Sequence, residues 1–207
     1  MTLDYRLYLV TDRRLMRAPS IESAVKQAIL GGCTMVQLRE KNISAAEYYA
    51  IAARVKRVTS QYGVPLIIND RADIAAAADA AGVHVGQSDL PAKAARRVVG
   101  LRKIVGVSVD CAEQALQAQK DGADYLGVTV FGTGTKSDTS VVTTAELKRI
   151  TSAVSIPVVA IGGINVSTLP SLEATGIAGI SVVSAILSAD DIGRAARELK
   201  EMLERVI

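Results

Sequence analysis

The stretch from Val128 to Asp138 passes from an apolar β-type run, ending at Phe131, into a loop of Gly, Thr and Ser around one lysine, Lys136. Glycines let backbone N–H groups approach an anion, hydroxyls add donors, and the ammonium adds a point charge. An ordinary polar loop has the same composition, so the weight comes from other polar groups placed like this one. Gln37-Leu38-Arg39-Glu40-Lys41 follows another apolar run. Side chains alternate along a strand, which puts Gln37, Arg39 and Lys41 on one face and Leu38 and Glu40 on the other. Two cations on an inward face are costly unless they meet anions, and alternation keeps Glu40 from serving. Asn69-Asp70-Arg71 and Gln87-Ser88-Asp89 each add an acid. Either acid alone reads as a helix cap, as does Asp73, while Ser88 or Asp89 could start a helix with Pro91 in its first turn. Together, near two cations, Asp70 and Asp89 suit a hard divalent ion that keeps waters and bridges to phosphate. Gly106-Val107-Ser108 adds a hydroxyl with no base beside it, a donor rather than a nucleophile. His84, the single histidine, sits between valines and reads as a hydrogen-bonded core residue.

These groups need a scaffold that gathers strand ends. Short β-branched runs at 6–11, 34–39, 65–69, 82–85, 103–108, 125–130, 157–161 and 179–183 alternate with helical patterns at 21–30, 45–62, 74–80, 92–99, 112–120, 144–153, 167–174 and 191–207. Strand then helix, repeated about eight times, predicts parallel strands joined by βαβ crossovers. Eight units favour a closed (β/α)8 TIM barrel over an open doubly wound sheet, and no G-x-G-x-x-G opens the first unit. No linker or composition shift divides residues 1–207, so one domain is expected. In such a barrel the active groups belong at the C-terminal ends of the strands, and the loops after strands seven and eight often hold phosphate. Gly162-Gly163 and Val183-Ser184 occupy those places.

The 207 residues are 49% hydrophobic and 22% charged, with a mean hydropathy of +0.27. That composition describes a compact protein with a large aliphatic core. Aromatics at 3%, a net charge of +3 and scattered basic residues weigh against nucleic acid as a partner. A small anionic substrate remains compatible with that charge. Cys33 and Cys111 have no metal or CxxC spacing and read as small buried residues in a reducing compartment. The N-terminus lacks a signal-peptide core and no run is long enough to span a bilayer, so a cytoplasmic protein with no membrane partner is expected. The oligomeric state is left open, a homo-oligomer included.

The motifs, in order, resemble the thiamine phosphate synthase family from end to end. They are Tyr8-Leu9-Val10-Thr11-Asp12, the 37–41 run, Asn69-Asp70-Arg71, the 82–91 run, Gly106-Val107-Ser108, Thr133-Gly134-Thr135-Lys136-Ser137-Asp138 and Ala160-Ile161-Gly162-Gly163-Ile164. The resemblance implies a transferase that joins hydroxymethylpyrimidine diphosphate to a thiazole phosphate and releases pyrophosphate, with Mg2+ as cofactor. It implies metal binding by Asp70 and Asp89. Gln37, Arg39, Lys41, Asn69, Ser108 and Lys136 would hold the pyrimidine diphosphate, with Arg39, Lys41, Lys136 and Ser108 acting in catalysis. Thr133, Thr135, Gly163, Val183 and Ser184 would surround the thiazole phosphate. Leu38, Glu40 and Gly134, inside the same runs, count among the substrate-binding positions. Two departures stand out. The run 127–133 is one residue shorter than the family pattern, and Asp110 stands where many relatives carry His. A thiazole tautomerase shares the barrel but uses that His and lacks the paired acids. A non-catalytic precursor-binding barrel would not need the acids or Lys136. An aldolase using Lys136 as a Schiff base has nothing in the sequence to lower the amine's pKa.

Overall fold

A computed structural model describes residues 3–132 and 141–207. Eight parallel strands close into a barrel: β1 (Leu7–Val10), β2 (Met35–Leu38), β3 (Leu66–Asn69), β4 (Gly82–Val85), β5 (Ile104–Val109), β6 (Tyr125–Thr129), β7 (Val158–Ile161) and β8 (Gly179–Val182). The order follows the sequence, and β8 returns to β1 with Tyr8 paired to Ser181. The expected TIM barrel is therefore the observed fold. Helices α1 (Ile21–Leu30), α2 (Ala45–Gln61), α3 (Ala72–Ala77), α4 (Ala92–Val99), α5 (Ala112–Lys120), α6 (Thr144–Ala153), α7 (Ser184–Leu187) and α8 (Ile192–Leu203) complete it.

Alternation along the strands sorts the core into two parts. Leu7, Leu9, Val36, Leu38, Leu66, Ile68, Leu126 and Val128 face the helices in the larger apolar cluster. Tyr8, Met35, Ile67, Tyr125 and Val159 point inward and, with Tyr5, plug the barrel. Aromatic volume here needs glycine opposite it: a Cβ on Gly106 would lie 2.2 Å from the Tyr125 ring. The upper interior is left to smaller and polar residues.

Local chemistry explains the helix starts. Ser44 and Thr143 accept from the N–H groups of Glu47 and Glu146 (3.1 Å each), the S/T-x-x-E pattern read three-dimensionally. Asp191 caps α8 through Arg194 N–H (2.8 Å). One expected helix is not formed. Within 167–174 only a 3₁₀ turn, Leu169–Leu172, is present. Asn165 Oδ1 accepts from the N–H groups of Ser167 and Thr168, Thr168 Oγ1 donates to Gly163 O, and Pro170 lacks a donor. Side-chain bonds of this kind compete with helical ones. No helix among the described residues is long and apolar enough to cross a membrane.

Candidate active site

At the C-terminal mouth the barrel encloses a cavity of about 270 Å³. Its wall takes Gln37 from β2 and Arg39 just beyond its end, Asn69 from β3, His84 from β4, Ser108 from β5 and Thr129 from β6. Gly162, Gly163 and Ile164 after β7, and Ser181, Val183 and Ser184 around β8, close the other side, with Tyr8 and Tyr125 as floor. Gln37, Arg39, Asn69, Ser108, Gly163, Val183 and Ser184, read from separate motifs, are thus brought to one place. Thr133, Gly134, Thr135 and Lys136 lie outside the described residues.

The side chains of Leu38 and Glu40 do not reach this wall. Leu38 is wholly buried against the helices. Glu40 turns to Arg13, whose Nε donates to Oε2 (2.9 Å). Burial raises the Glu40 pKa and Arg13 opposes the rise. The strand alternation that aims Gln37 and Arg39 inward turns Leu38 and Glu40 outward, so their place in the substrate-binding set has no side-chain support.

Of the two cations expected to face inward, Arg39 does and Lys41, beyond the end of the strand, does not; both have partners other than Glu40. Arg39 Nη1 lies 3.5 Å from Asp12 Oδ2, and its backbone N–H donates to Thr11 Oγ1 (3.0 Å). Asp12 is mainly held by Arg14, at 2.8 and 3.1 Å, and this pairing lowers its pKa, with Arg39 adding less. The long Arg39 contact leaves most of its guanidinium fork facing the cavity. Lys41 stands at the outer rim, half exposed, with its Nζ 2.5 Å from Asp70 Oδ2.

Asp70 and Asp89 cap neither α3 nor α4. Arg71 and Pro91 are the residues preceding α3 and α4, and neither helix start has a side-chain cap. Asp70 sits at φ 63°, where Arg71 N–H bonds back to Asn69 O (2.8 Å) across it. A non-glycine residue in such a tight turn is strained, and strain of this kind gathers at functional sites. Asp89 Oδ2 accepts from Gly86 N–H (2.7 Å). Its pKa is raised by burial, opposed by that N–H, and raised further by the charge and hydrogen bonding of Asp70, with Lys41 pulling it down. Lys41, Asp70 and Asp89 therefore form one cluster at the rim.

Sequence reasoning missed three contributors. Ser181 Oγ and Asn69 Nδ2 are buried without a hydrogen-bond partner among the described residues; Asn69 is a site residue in the sequence motifs, Ser181 is not. Its interior register with Tyr8 and Ile161 was the available signal. Tyr48 on α2 donates a shared hydrogen bond to the carbonyls of Leu38 (2.8 Å) and Asn69 (3.1 Å), tying the ends of β2 and β3 together. His84 is hydrogen-bonded as expected, through both ring nitrogens, yet it faces the cavity.

Residues 7–186 match the thiamine monophosphate synthase family. The thiamine-phosphate synthase of Clostridium beijerinckii is 53% identical over 96% of this chain and 95% of the relative. That of Ruminiclostridium cellulolyticum is 55% identical over 97% and 96%. The structure of thiamine phosphate pyrophosphorylase from Pyrococcus furiosus superposes with a TM-score of 0.89 at 38% identity, covering 99% of this chain and 98% of that one. Motifs, barrel and site geometry agree with these matches: the chain belongs to the thiamine monophosphate synthase family.

Proposed function

We infer that the chain is a transferase that makes thiamine phosphate. The methylene carbon of hydroxymethylpyrimidine diphosphate loses its C–O bond to pyrophosphate and gains a C–N bond to the ring nitrogen of hydroxyethylthiazole phosphate. The observation that carries this reading is convergence: Arg39, Asn69, Ser108, Gly163 and Ser184 share one cavity while Lys41, Asp70 and Asp89 stand at its rim.

The aminopyrimidine stabilises positive charge at its methylene carbon, so cleavage can run ahead of attack and negative charge collects on the leaving group. Arg39, Lys41 and Lys136 would hold the diphosphate and favour its departing form over the ground state. Asn69 and Ser108 would donate to it, and the Asn69 amide nitrogen, buried without a partner among the described residues, supports that role. Thr133, Thr135, Gly163, Val183 and Ser184 would position the thiazole phosphate. The thiazole nitrogen is already a nucleophile, so no base is needed from the protein. Asp70 and Asp89 fit Mg2+: two crowded carboxylates, one with its ionisation resisted by the other, relax when a cation joins them. A pair of acids suits an ion that keeps waters and bridges to phosphate. When bound, Mg2+ would supply charge neutralisation to the diphosphate. A cytoplasmic setting is part of this reading, supported by the free thiols of Cys33, buried as expected, and Cys111, which precedes α5 and is only partly buried.

The test is to incubate purified protein with both precursors, with and without Mg2+, and to assay thiamine phosphate and pyrophosphate. Formation of both in equal amounts, only with the metal, is expected. Absence of product with Mg2+ present would overturn the reading.

A further inference from the structure

A file of polar side chains crosses the barrel beneath the cavity from β2 to β5. Gln37 Nε2 donates to Tyr8 Oη (2.8 Å). The Tyr8 and Tyr125 hydroxyls are 2.9 Å apart. Tyr125 Oη is 2.9 Å from His84 Nδ1, and His84 Nε2 is 2.9 Å from Ser108 Oγ. Both tyrosines are fully buried, and burial lifts their phenols well above the ordinary value, so they remain neutral donors. Space for the file is built in: a Cβ on Gly127 would approach His84 Cε1 to 3.1 Å.

The file has a direction. An amide nitrogen only donates, and each phenol has a single hydrogen. Tyr8 accepts from Gln37, so its own hydrogen must pass on to Tyr125. Were Tyr125 to donate back, the Tyr8 hydrogen would be buried with no acceptor among the described residues, which folded proteins avoid. Tyr125 therefore donates to His84 Nδ1. That nitrogen is bare, the ring proton sits on Nε2, and Nε2–H donates to Ser108 Oγ. The Ser108 hydrogen is then directed elsewhere, and Ser108 lines the cavity.

We propose that His84 is a positioning residue, locked as its neutral Nε2–H tautomer by Gln37, Tyr8 and Tyr125, so that Ser108 faces the cavity as a donor to an acceptor-only anion. A diphosphate has only acceptor oxygens to offer. With the file reversed, the Ser108 hydrogen would be consumed by the imidazole, and lone pairs would face the phosphoryl oxygens. That the anion is the pyrimidine diphosphate rests on the proposed function; the tautomer does not.

The chain has one histidine, so full-length enzyme labelled with 15N-histidine gives a single imidazole to read by NMR. Wild-type protein near neutral pH is expected to show a protonated Nε2 and a bare Nδ1. An Nδ1–H tautomer, an imidazolium or an even mixture would overturn the proposal without any variant. Tyr125→Phe removes the donor to Nδ1 and is expected to mix the tautomers; an unchanged tautomer would show that the file does not set it. The second arm uses hydroxymethylpyrimidine diphosphate, hydroxyethylthiazole phosphate and Mg2+. Ser108→Ala and His84→Leu should each lower kcat by about 10- to 100-fold, the loss of one donor to a charged group. The double variant should be no slower than Ser108→Ala, and His84→Gln, which keeps an N–H, should recover much of the rate. Multiplying losses would show that His84 acts apart from Ser108 and would also overturn the proposal. If wild-type enzyme made no thiamine phosphate while the tautomer stood as expected, the functional reading would fall and the relay would not.

Discussion

Asp70 combines a left-handed backbone, an ion pair with Lys41 and the nearby charge of Asp89. Such an arrangement is unfavourable for the protein alone and suits a cation. Asp89→Asn relieves repulsion, so it should raise the thermal midpoint of metal-free protein while cutting turnover by about 10²–10³-fold. Differential scanning calorimetry beside a product assay checks both, and a variant of normal activity would remove Asp89 from the site. Lys136→Ala should cost activity on the same scale with an unchanged midpoint. Asp12 makes the opposite electrostatic case. Its pKa is lowered by Arg14 first and Arg39 less, so the folded state favours the carboxylate. Sign follows from linkage: the contribution is present above the unfolded value of about 3.9 and fades as pH falls through the lower folded one. Wild type and Asp12→Asn should therefore differ in urea midpoint at pH 6 and converge towards pH 2. A constant gap would mean that Asp12 acts by packing. The sequence showed these acids but not their longer-range partners, because Asp12 and Arg39, or Lys41 and Asp70, meet only across neighbouring strand ends.

At the scale of elements, the position of α2 over β2 and β3 shows how a helix sets a site it does not line. Tyr48 is buried and joins the carbonyls at the ends of both strands, directly before Arg39 and Asp70. Tyr48→Phe should destabilise the fold by about 1–3 kcal/mol, the cost of unsatisfied buried acceptors, and should lower kcat/KM through the displaced strand ends. Urea unfolding with steady-state kinetics reads both quantities. An unchanged midpoint would show that the strand ladders alone hold these carbonyls. Most elements were legible from the apolar period, since β-branched alternation acts within a few residues, and Ser44-x-x-Glu47 was a further local signal for the start of α2. The missing helix at 167–174 was not, because Asn165, Thr168 and Pro170 spend their local bonds on a turn that apolar spacing alone does not reveal.

For the whole molecule, closure of β8 onto β1 couples the site to global stability. The site draws on strands all round the barrel, so an anion and cation bound together should stabilise every unit at once. Magnesium pyrophosphate at 100 times its Kd should add about 2.7 kcal/mol, seen as a higher melting midpoint. Mg2+ or pyrophosphate alone should do much less, and Asp89→Asn should abolish the difference. Equal shifts from pyrophosphate with and without Mg2+ would detach the acids from anion binding. The repeating strand-helix order, the inward set Gln37, Arg39, Asn69 and Ser108, and the family can all be read along the chain, because alternation and motif order are properties of the chain. Folding adds that Glu40 pairs with Arg13, that Asp70 and Asp89 repel at one rim, and that Tyr8, Tyr125 and His84 link Gln37 to Ser108. Those facts depend on which side chains face each other across a closed barrel, and residues 117 positions apart in the chain, as Tyr8 and Tyr125 are, become neighbours only when it closes.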